Sequence, residues 1–486
     1  MRCVRLGVLV GFVGVAVAAQ AAVSVASGPF FNSANGSRYY RITGGDWNQL
    51  RAFALSMGGD LASIEDAAEN TWVRSNVVGT NSKPFIGLND AGLEGTLVWS
   101  NGSTSNYRNW RVGEPSNSAS KDYVRYDGQA AGTWEIVTVN FSPEAIVEIA
   151  ASNGVPAPVR VPGEQPTLDS AFNIISAVGA RQIDLAPGTY VVQNPYGIDG
   201  ITLRGAGIGQ TIVQGPTNPA PALALFNAAR ISDMTIVNRS SVASVAIVSA
   251  PASVTRVEFT SLPGTADGPL LQAAGFQNPA LASTIDSCLF NTSSVAMDVD
   301  GGTLLIASSI FRDVGAVSAG GGGMATVRFA NCLFTRCGPT TLFDSQNSNS
   351  VANSIFWDNS APLNITTVST SLVSAPGFGS NFTGDPRFVN AAANNFALLP
   401  DSPCVDRGSI AAYLACQPSD FLDFAGQPRA VDSPSVANAF AGASAIDVGP
   451  LEFVPAPCPG DLNSDGLVDD GDFQIFVVFY NQLLCP

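Results

Sequence analysis

The sequence predicts a mainly β, multidomain chain, and three observations carry that reading. Short β-branched runs separated by Gly, Asn, Ser and Asp fill most of its length. One motif recurs four times, with phenylalanines 21, 23 and 22 residues apart. The length of 486 residues corresponds to about three domains at ~150 residues each. Charged residues reach only 13%, roughly half the ~25% of an average soluble chain. Hydrophobic residues reach 46%, yet no mid-chain run approaches the ~18 apolar residues that span a bilayer. The net charge of −16 disfavours a nucleic-acid partner, because phosphate binding needs clustered cations. There is no histidine, which removes Ser-His-Asp and Cys-His catalysis, HExxH proteases and His-ligated zinc together.

The first element is an export signal. Arg2 and Arg5 precede an apolar run from Leu6 to Val17, then Ala19-Gln20-Ala21. That order is a secretory signal peptide over 1–21, with cleavage after Ala21. Cys3 leaves with it, so seven cysteines enter an oxidising compartment. Seven is odd, so one at least stays unpaired or bonds elsewhere. The expected location is secreted or cell-surface, without a transmembrane anchor.

Residues 27–150 alternate short β-type runs with turns around one amphipathic segment, Trp47 to Met57. Ordered motifs follow: Gly58-Gly59-Asp60-Leu61-Ala62-Ser63-Ile64, Glu69-Asn70, Phe85-Ile86-Gly87-Leu88, Glu94-Gly95, Trp99, Asn109-Trp110, Gly113-Glu114-Pro115 and Gly132-Thr133-Trp134. Together they resemble a C-type lectin-like domain, an α+β fold, over about 120 residues. The resemblance places the family's two disulfides at Ala54 with Val147 and Tyr123 with Val139, so apolar packing is expected in place of the cross-links. It also places the calcium-dependent sugar site at Glu114, Ser116, Lys121 and Trp134-Glu135-Ile136. Calcium takes ~6–8 oxygens, which an ammonium and an aliphatic side chain cannot supply, so that site reads as degenerate. Asn117, next to Ser116, could take over one ligand role by a one-residue shift. The expected ligand surface is the long loop between Leu88 and Trp134, using Asn106, Tyr107, Glu114, Asn117, Asp122 and Trp134; the alternative is that these residues only hold the loop.

Residues 155–455 open with a short helix, Pro166 to Ile175, whose Leu168, Ala171, Phe172 and Ile175 share one face. Strand Gln182 to Leu185 follows, then Ala186-Pro187-Gly188-Thr189-Tyr190 and Gly200-Ile201-Thr202-Leu203-Arg204-Gly205. This opening resembles the N-terminal cap and first coil of right-handed parallel β-helix proteins of the pectate-lyase (pectin-lyase-like) type. The repeats argue the same independently: Ser287-Cys288-Leu289-Phe290, Ser308-Ser309-Ile310-Phe311, Asn331-Cys332-Leu333-Phe334 and Asn353-Ser354-Ile355-Phe356. A unit this short cannot bury its own apolar face, so stacking must supply the core. Cys288 and Cys332 fall two coils apart, about 9.6 Å at ~4.8 Å per coil, too far for a disulfide. Two residues beyond the phenylalanines come Thr292, Asp313, Arg336 and Asp358. Asp313 and Asp358 thus flank Arg336, with carboxylates about 10 Å apart, near an inverting glycosidase spacing. An Asp–Arg–Asp ion ladder is the simpler reading, since an adjacent Arg lowers the pKa that an acid catalyst must raise. The run from Gly384 to Gly408, with Ala445 to Phe453, resembles the closing coils of secreted bacterial β-helix proteins, and Cys404 with Cys416 is a disulfide candidate closing a short loop.

Residues 457–486 carry Asp461-Leu-Asn463-Ser-Asp465-Gly466-Leu467-Val-Asp469-Asp-Gly-Asp472. Oxygens fall at loop positions 1, 3, 5, 9 and 12, with Gly at 6 and the Leu467 carbonyl at 7, which is EF-hand calcium chemistry. Asp at position 12 resembles a dockerin repeat, which implies calcium as cofactor and a cohesin-like or cell-surface partner; such modules carry two loops and here there is one. Phe473, Phe476, Val477 and Tyr480 share helical spacing, so this is a small α-helical calcium-loop module. Cys458 and Cys485 bracket it as a second disulfide candidate.

The functional expectation is a secreted, non-catalytic adhesion or carbohydrate-binding protein. It has a lectin-like head for a glycan or polysaccharide, a β-helix as spacer and further glycan face, and a calcium-binding tail as anchor. The alternative is a polysaccharide lyase or glycoside hydrolase acting through Asp313, Arg336 and Asp358.

Overall fold

The computed structural model describes residues 22–483 except 117, 130, 153–154, 244, 249, 263–267, 274–280, 300, 320–324, 339, 343–348, 361–363, 366, 375–379, 434–435, 437–438, 440–445, 456–459 and 461–469. The chain is mainly β, about 12% helical, and divides into two compact units. One comprises 1–157 with 176–180, the other 158–175 with 181–486. The signal segment and the calcium loop from Asp461 to Asp469 lie outside the described residues.

In the first unit the strands are β1 (Ser24–Asn32), β2 (Ser37–Thr43), β3 (Asp60–Leu61), β4 (Phe85–Asn89), β5 (Val98–Trp99), β6 (Tyr123–Tyr126), β7 (Trp134–Val137) and β8 (Glu144–Ile149). They form one sheet in the order β1-β2-β8-β4-β6-β7, with β3 on β8 and β5 on β4. The first helix, α1 (Trp47–Ser56), starts at Asp46, whose carboxylate accepts from the Gln49 amide in a capping box that satisfies two otherwise unpaired donors. Trp47, Leu50 and Ala54 form its buried face. The second, α2 (Ala67–Val73), is capped by Asp66 on the Glu69 amide. Gly59 is required by packing, since a Cβ there would meet the Glu148 carbonyl at 2.2 Å. Ala54, Val147, Tyr123 and Val139 pack in a single hydrophobic cluster. Apolar burial therefore stands where the resemblance implied cross-links.

The second unit is a parallel β-solenoid of about seven turns. One face stacks Ala282–Asp286, Gly302–Ala307, Ala325–Ala330 and Ser350–Ala352. The next stacks Leu289–Ser293, Ile310–Val314, Leu333–Thr335 and Ile355–Trp357. The third stacks Tyr196–Asp199, Leu223–Phe226, Val245–Ile247, Leu271–Ala273 and Met297–Val299. The repeated phenylalanines fall in register and stack face to face. Phe259, Phe290, Phe311, Phe334 and Phe356 have successive centroids 4.9, 4.7, 4.8 and 4.6 Å apart, one strand spacing per coil. Between two faces each coil turns through a left-handed residue, seen at Ser287, Ser308, Asn331 and Asn353. Buried Asn353 donates from Nδ2 to Asn331 Oδ1 at 3.0 Å, and Asn331 donates to the Asp447 carbonyl, so these polar groups are paired in the core.

The closing segment is held by buried carboxylates accepting from backbone amides. Asp447 accepts from the Asp406 amide at 2.7 Å, Asp423 from Glu452 at 2.9 Å, and Glu452 from Val431 at 3.2 Å. Buried Arg429 reaches Glu452 at 3.3 Å and the Pro450 carbonyl at 2.7 Å. Burial, then the nearby Glu452, pushes the Asp447 carboxyl well above the usual range. The expected Cys404–Cys416 bridge is not formed. Both thiols are free and buried, and they belong to two separate core clusters, Cys404 with Phe396 and Leu398 and Cys416 with Leu305 and Tyr413. Cys288 and Cys332 are buried free thiols, as their two-coil separation requires. Cys458 and Cys485 lie outside the described residues.

Candidate ligand-binding site

The long loop between β4 and β7 is pinned to the core of the first unit by Trp134. Its ring is fully buried and meets Trp99, Tyr107, Trp110 and Tyr126 edge-on, at centroid distances of 6.1, 5.6, 6.1 and 6.4 Å. The indole N–H donates to Asn70 Oδ1 at 3.1 Å. Trp134 was expected among the ligand contacts; its burial corrects that, and it anchors the loop. Tyr107 is partly buried against the same ring, so it too is mainly an anchor. Asn106 is exposed, while Glu114 and Asp122 are half-buried at the surface; Asn117 lies outside the described residues.

At the tip, a protein cation stands between the two glutamates. Arg111 reaches Glu135 at 2.8 Å and Glu114 at 3.3 Å. Glu135 is also held by Arg125 at 2.8 Å and Lys83 at 3.8 Å. Glu114, which precedes a cis proline, accepts from the Ser116 amide at 2.8 Å. Lys121 sits 3.4 Å from Ser116 Oγ. Lys83 and Lys121 are the only lysines in the chain. The carboxylates that would coordinate a metal here are thus already offset by ammonium and guanidinium groups, and an Arg–carboxylate pair is a strong charge-assisted contact. Nothing in the sequence motif announces Arg111 as part of the tip; it arrives through the turn in which the Glu114 amide donates to the Arg111 carbonyl.

A second group lies at the base of the loop. Asp90 is 4% exposed, and its Oδ1 has no hydrogen-bond partner among the described residues. Its Oδ2 accepts from Gly95 at 3.0 Å, and its amide donates to the Asp122 carbonyl. Desolvation, then Asp90 and Asp122, raises the pKa of Glu94. Among the described residues no three Asp, Glu, Cys or His side chains converge as a preformed metal cage. The Asp90 carboxylate therefore serves the turn through its bond to the Gly95 amide, and Glu94 and Asp122 add like charge beside it. Only Asp122 of this group was anticipated. The signal for the others was Asn89-Asp90 closing the Phe85–Asn89 strand, four residues before Glu94.

A buried acidic pair sits deeper in the same unit. Glu148 Oε1 accepts from Ser37 Oγ at 3.0 Å, and Oε2 accepts from the Ser63 amide at 3.2 Å. Tyr39 donates a very short hydrogen bond to Glu69. Burial, then Glu69, pushes the Glu148 carboxyl up to about 7.

In the solenoid, Arg336 pairs with Asp313 through two hydrogen bonds, 2.7 and 3.0 Å, and donates to Asn394 at 2.6 Å. No ion pair joins Arg336 to Asp358 among the described residues, so the expected Asp–Arg–Asp ladder is corrected to Asp313 between Arg336 at 2.7 Å and Arg312 at 3.5 Å. The hydrogen bonds from Arg336 hold the Asp313 carboxyl below its usual range, the opposite of what a general acid needs. Of the calcium-loop residues, Asp461, Asn463, Asp465, Leu467 and Asp469 lie outside the described residues. Asp472 is buried in the first turn of helix Asp470–Leu483.

Residues 44–146 match the family model described as "Lectin C-type domain", and this stretch is a C-type lectin domain. The galactose-specific lectin nattectin of Thalassophryne nattereri is 32% identical over 105 residues, 21% of this chain and 66% of nattectin. Lectin BRA-3 of Megabalanus rosa is 37% identical over 93 residues, 18% of this chain and 56% of its own length. The chain therefore spans less than two thirds of these relatives. Among solved structures, a calcium-independent type II antifreeze protein is 21% identical with a TM-score of 0.24, covering 26% of this chain and 98% of that one. The cow CD23 C-type carbohydrate-recognition domain, solved in the presence of an oligosaccharide, is 23% identical with a TM-score of 0.22, covering 24% and 90%.

Proposed function

We propose that this is an exported carbohydrate-binding protein whose lectin domain engages a glycan at the loop tip without a coordinating metal at Glu114. The observation that carries the reading is Arg111 between Glu114 and Glu135, on a loop fixed by the buried Trp134 in a C-type lectin domain. Exposed Asn106, with half-buried Glu114 and Lys121, then offers hydrogen bonds to sugar hydroxyls directly. The solenoid serves as a rigid spacer and the C-terminal calcium loop as an anchor to a surface or protein partner. Calcium, when bound, acts as a structural counter-ion in the loop from Asp461 to Asp472, where it would offset like charges.

The test is retention on immobilised glycans with and without a chelator. Retention should survive chelation and be lost in Glu114→Ala. Loss on chelation would mean that the tip coordinates the metal, and the metal-free reading would fall.

A further inference from the structure

We propose that the last coils of the solenoid carry a second saccharide site, a cleft walled by Trp357, Asp358, Ser374 and Thr383 that selects neutral over acidic sugars. The proposal rests on the carbohydrate-binding reading and adds a site to it. The cleft encloses about 330 Å³, near the lower end of the ~300–1,000 Å³ range of small-ligand sites, which suits one or two sugar rings. Its floor is rigid. Leu372 and Val373 are buried, and Leu372 bridges both Ile355 and Phe382 in the parallel stack.

The walls combine the two chemistries that a pyranose presents. Trp357 is half-buried and packs against the cluster that contains Ile355, Leu372 and Phe382, which restricts its ring. An aromatic face accepts the C–H face of a sugar, with the ring's negative quadrupole toward the positive hydrogens. Asp358, the next residue, is exposed and held in a left-handed conformation, φ 54°. It makes no hydrogen bond or ion pair with another described residue; Arg336, whose pKa its charge helps to raise, hydrogen-bonds to Asp313 and Asn394. A carboxylate with both oxygens available accepts from a pair of neighbouring hydroxyls, and such charge-assisted bonds are the stronger kind. Ser374 and Thr383 are exposed in the same lining and each adds a hydroxyl that both donates and accepts. The same carboxylate repels a uronate, which sets the selectivity.

The experiment titrates the full chain with neutral trisaccharides and with trigalacturonate by calorimetry, comparing the wild type, Glu114→Ala, and Glu114→Ala combined with Trp357→Ala or with Asp358→Asn. The head-disabled Glu114→Ala chain should still bind a neutral trisaccharide, and either second substitution should weaken that binding about tenfold or more. Asp358 is exposed, so Asp358→Asn tests the site even where Trp357→Ala perturbs folding. Two outcomes overturn the cleft: neutral-sugar binding lost entirely in Glu114→Ala, which leaves the lectin reading intact, or trigalacturonate binding as tightly as neutral sugars. Binding in the head-disabled chain that ignores both second substitutions also overturns it.

Discussion

Glu148 is 8% exposed, and its charge is opposed by burial and by Glu69. Its folded-state pKa lies above that of the unfolded chain, so the native state holds the extra proton. The stability this contributes is fully present below about pH 4.5 and is lost as the pH rises through about 7, an effect of about 3 kcal/mol. The lectin unit should therefore melt at a lower temperature at pH 8 than at pH 5. Glu148→Gln, which keeps the acceptor for the Ser63 amide, should flatten that dependence; a melting curve equally steep in the variant would refute it. The cysteines give a second residue-level test. Burial pushes the thiols of Cys404 and Cys416 up to about 12, so thiolate is scarce and reagent has no access. Both should resist alkylation in the native protein and react, without any reductant, once the chain is unfolded. Recovery of a Cys404–Cys416 disulfide peptide would contradict the free-thiol arrangement.

The phenylalanine stack is the element on which the solenoid depends. Phe311 is fully buried between Phe290 and Phe334, with interplanar angles of 2° and 7°. Phe311→Ala should cost about 3–5 kcal/mol, with Phe311→Leu milder, read from the denaturant midpoint of the solenoid. An unchanged midpoint would mean that the stack contributes shape but little energy. This element was legible in the sequence because a stacked coil returns to the same face after a fixed length, so its period survives in the spacing of the phenylalanines. Ala54, Val147, Tyr123 and Val139 were legible for a related reason: apolar residues at both ends of each expected cross-link must pack on something. Trp134 was not legible. A tryptophan closing a loop motif reads the same whether it faces ligand or core, and four surrounding aromatic rings, Trp99, Tyr107, Trp110 and Tyr126, decide that it faces inward.

At the scale of the whole molecule, the acid excess has distinct uses. Asp406, Asp423, Asp447 and Glu452 serve as acceptors for backbone amides in the closing segment, which meets those buried donors and offsets part of the cost of burying the carboxylates. The aspartates from Asp461 to Asp472 are assigned to calcium in the proposed function. Calorimetric titration of the full chain with calcium should give heat that is reduced in Asp461→Ala, and helix Asp470–Leu483 should gain thermal stability with the metal present. Identical titrations for the two chains would remove the loop from the calcium reading.

The sequence by itself determined the fold class, the stacking period and the absence of histidine chemistry, while the replacement of cross-links by apolar packing was implied by the resemblance to a lectin-like domain. Each of these is local or periodic, and so is written along the chain. The tertiary structure alone decided that Arg111 stands between Glu114 and Glu135, that Arg336 chooses Asp313 and leaves Asp358 free to line a cleft, and that Cys404 and Cys416 occupy different clusters. Those outcomes depend on which side chains meet through space. At a few ångströms, charge pairing and burial outweigh any preference that a residue's neighbours in sequence can impose.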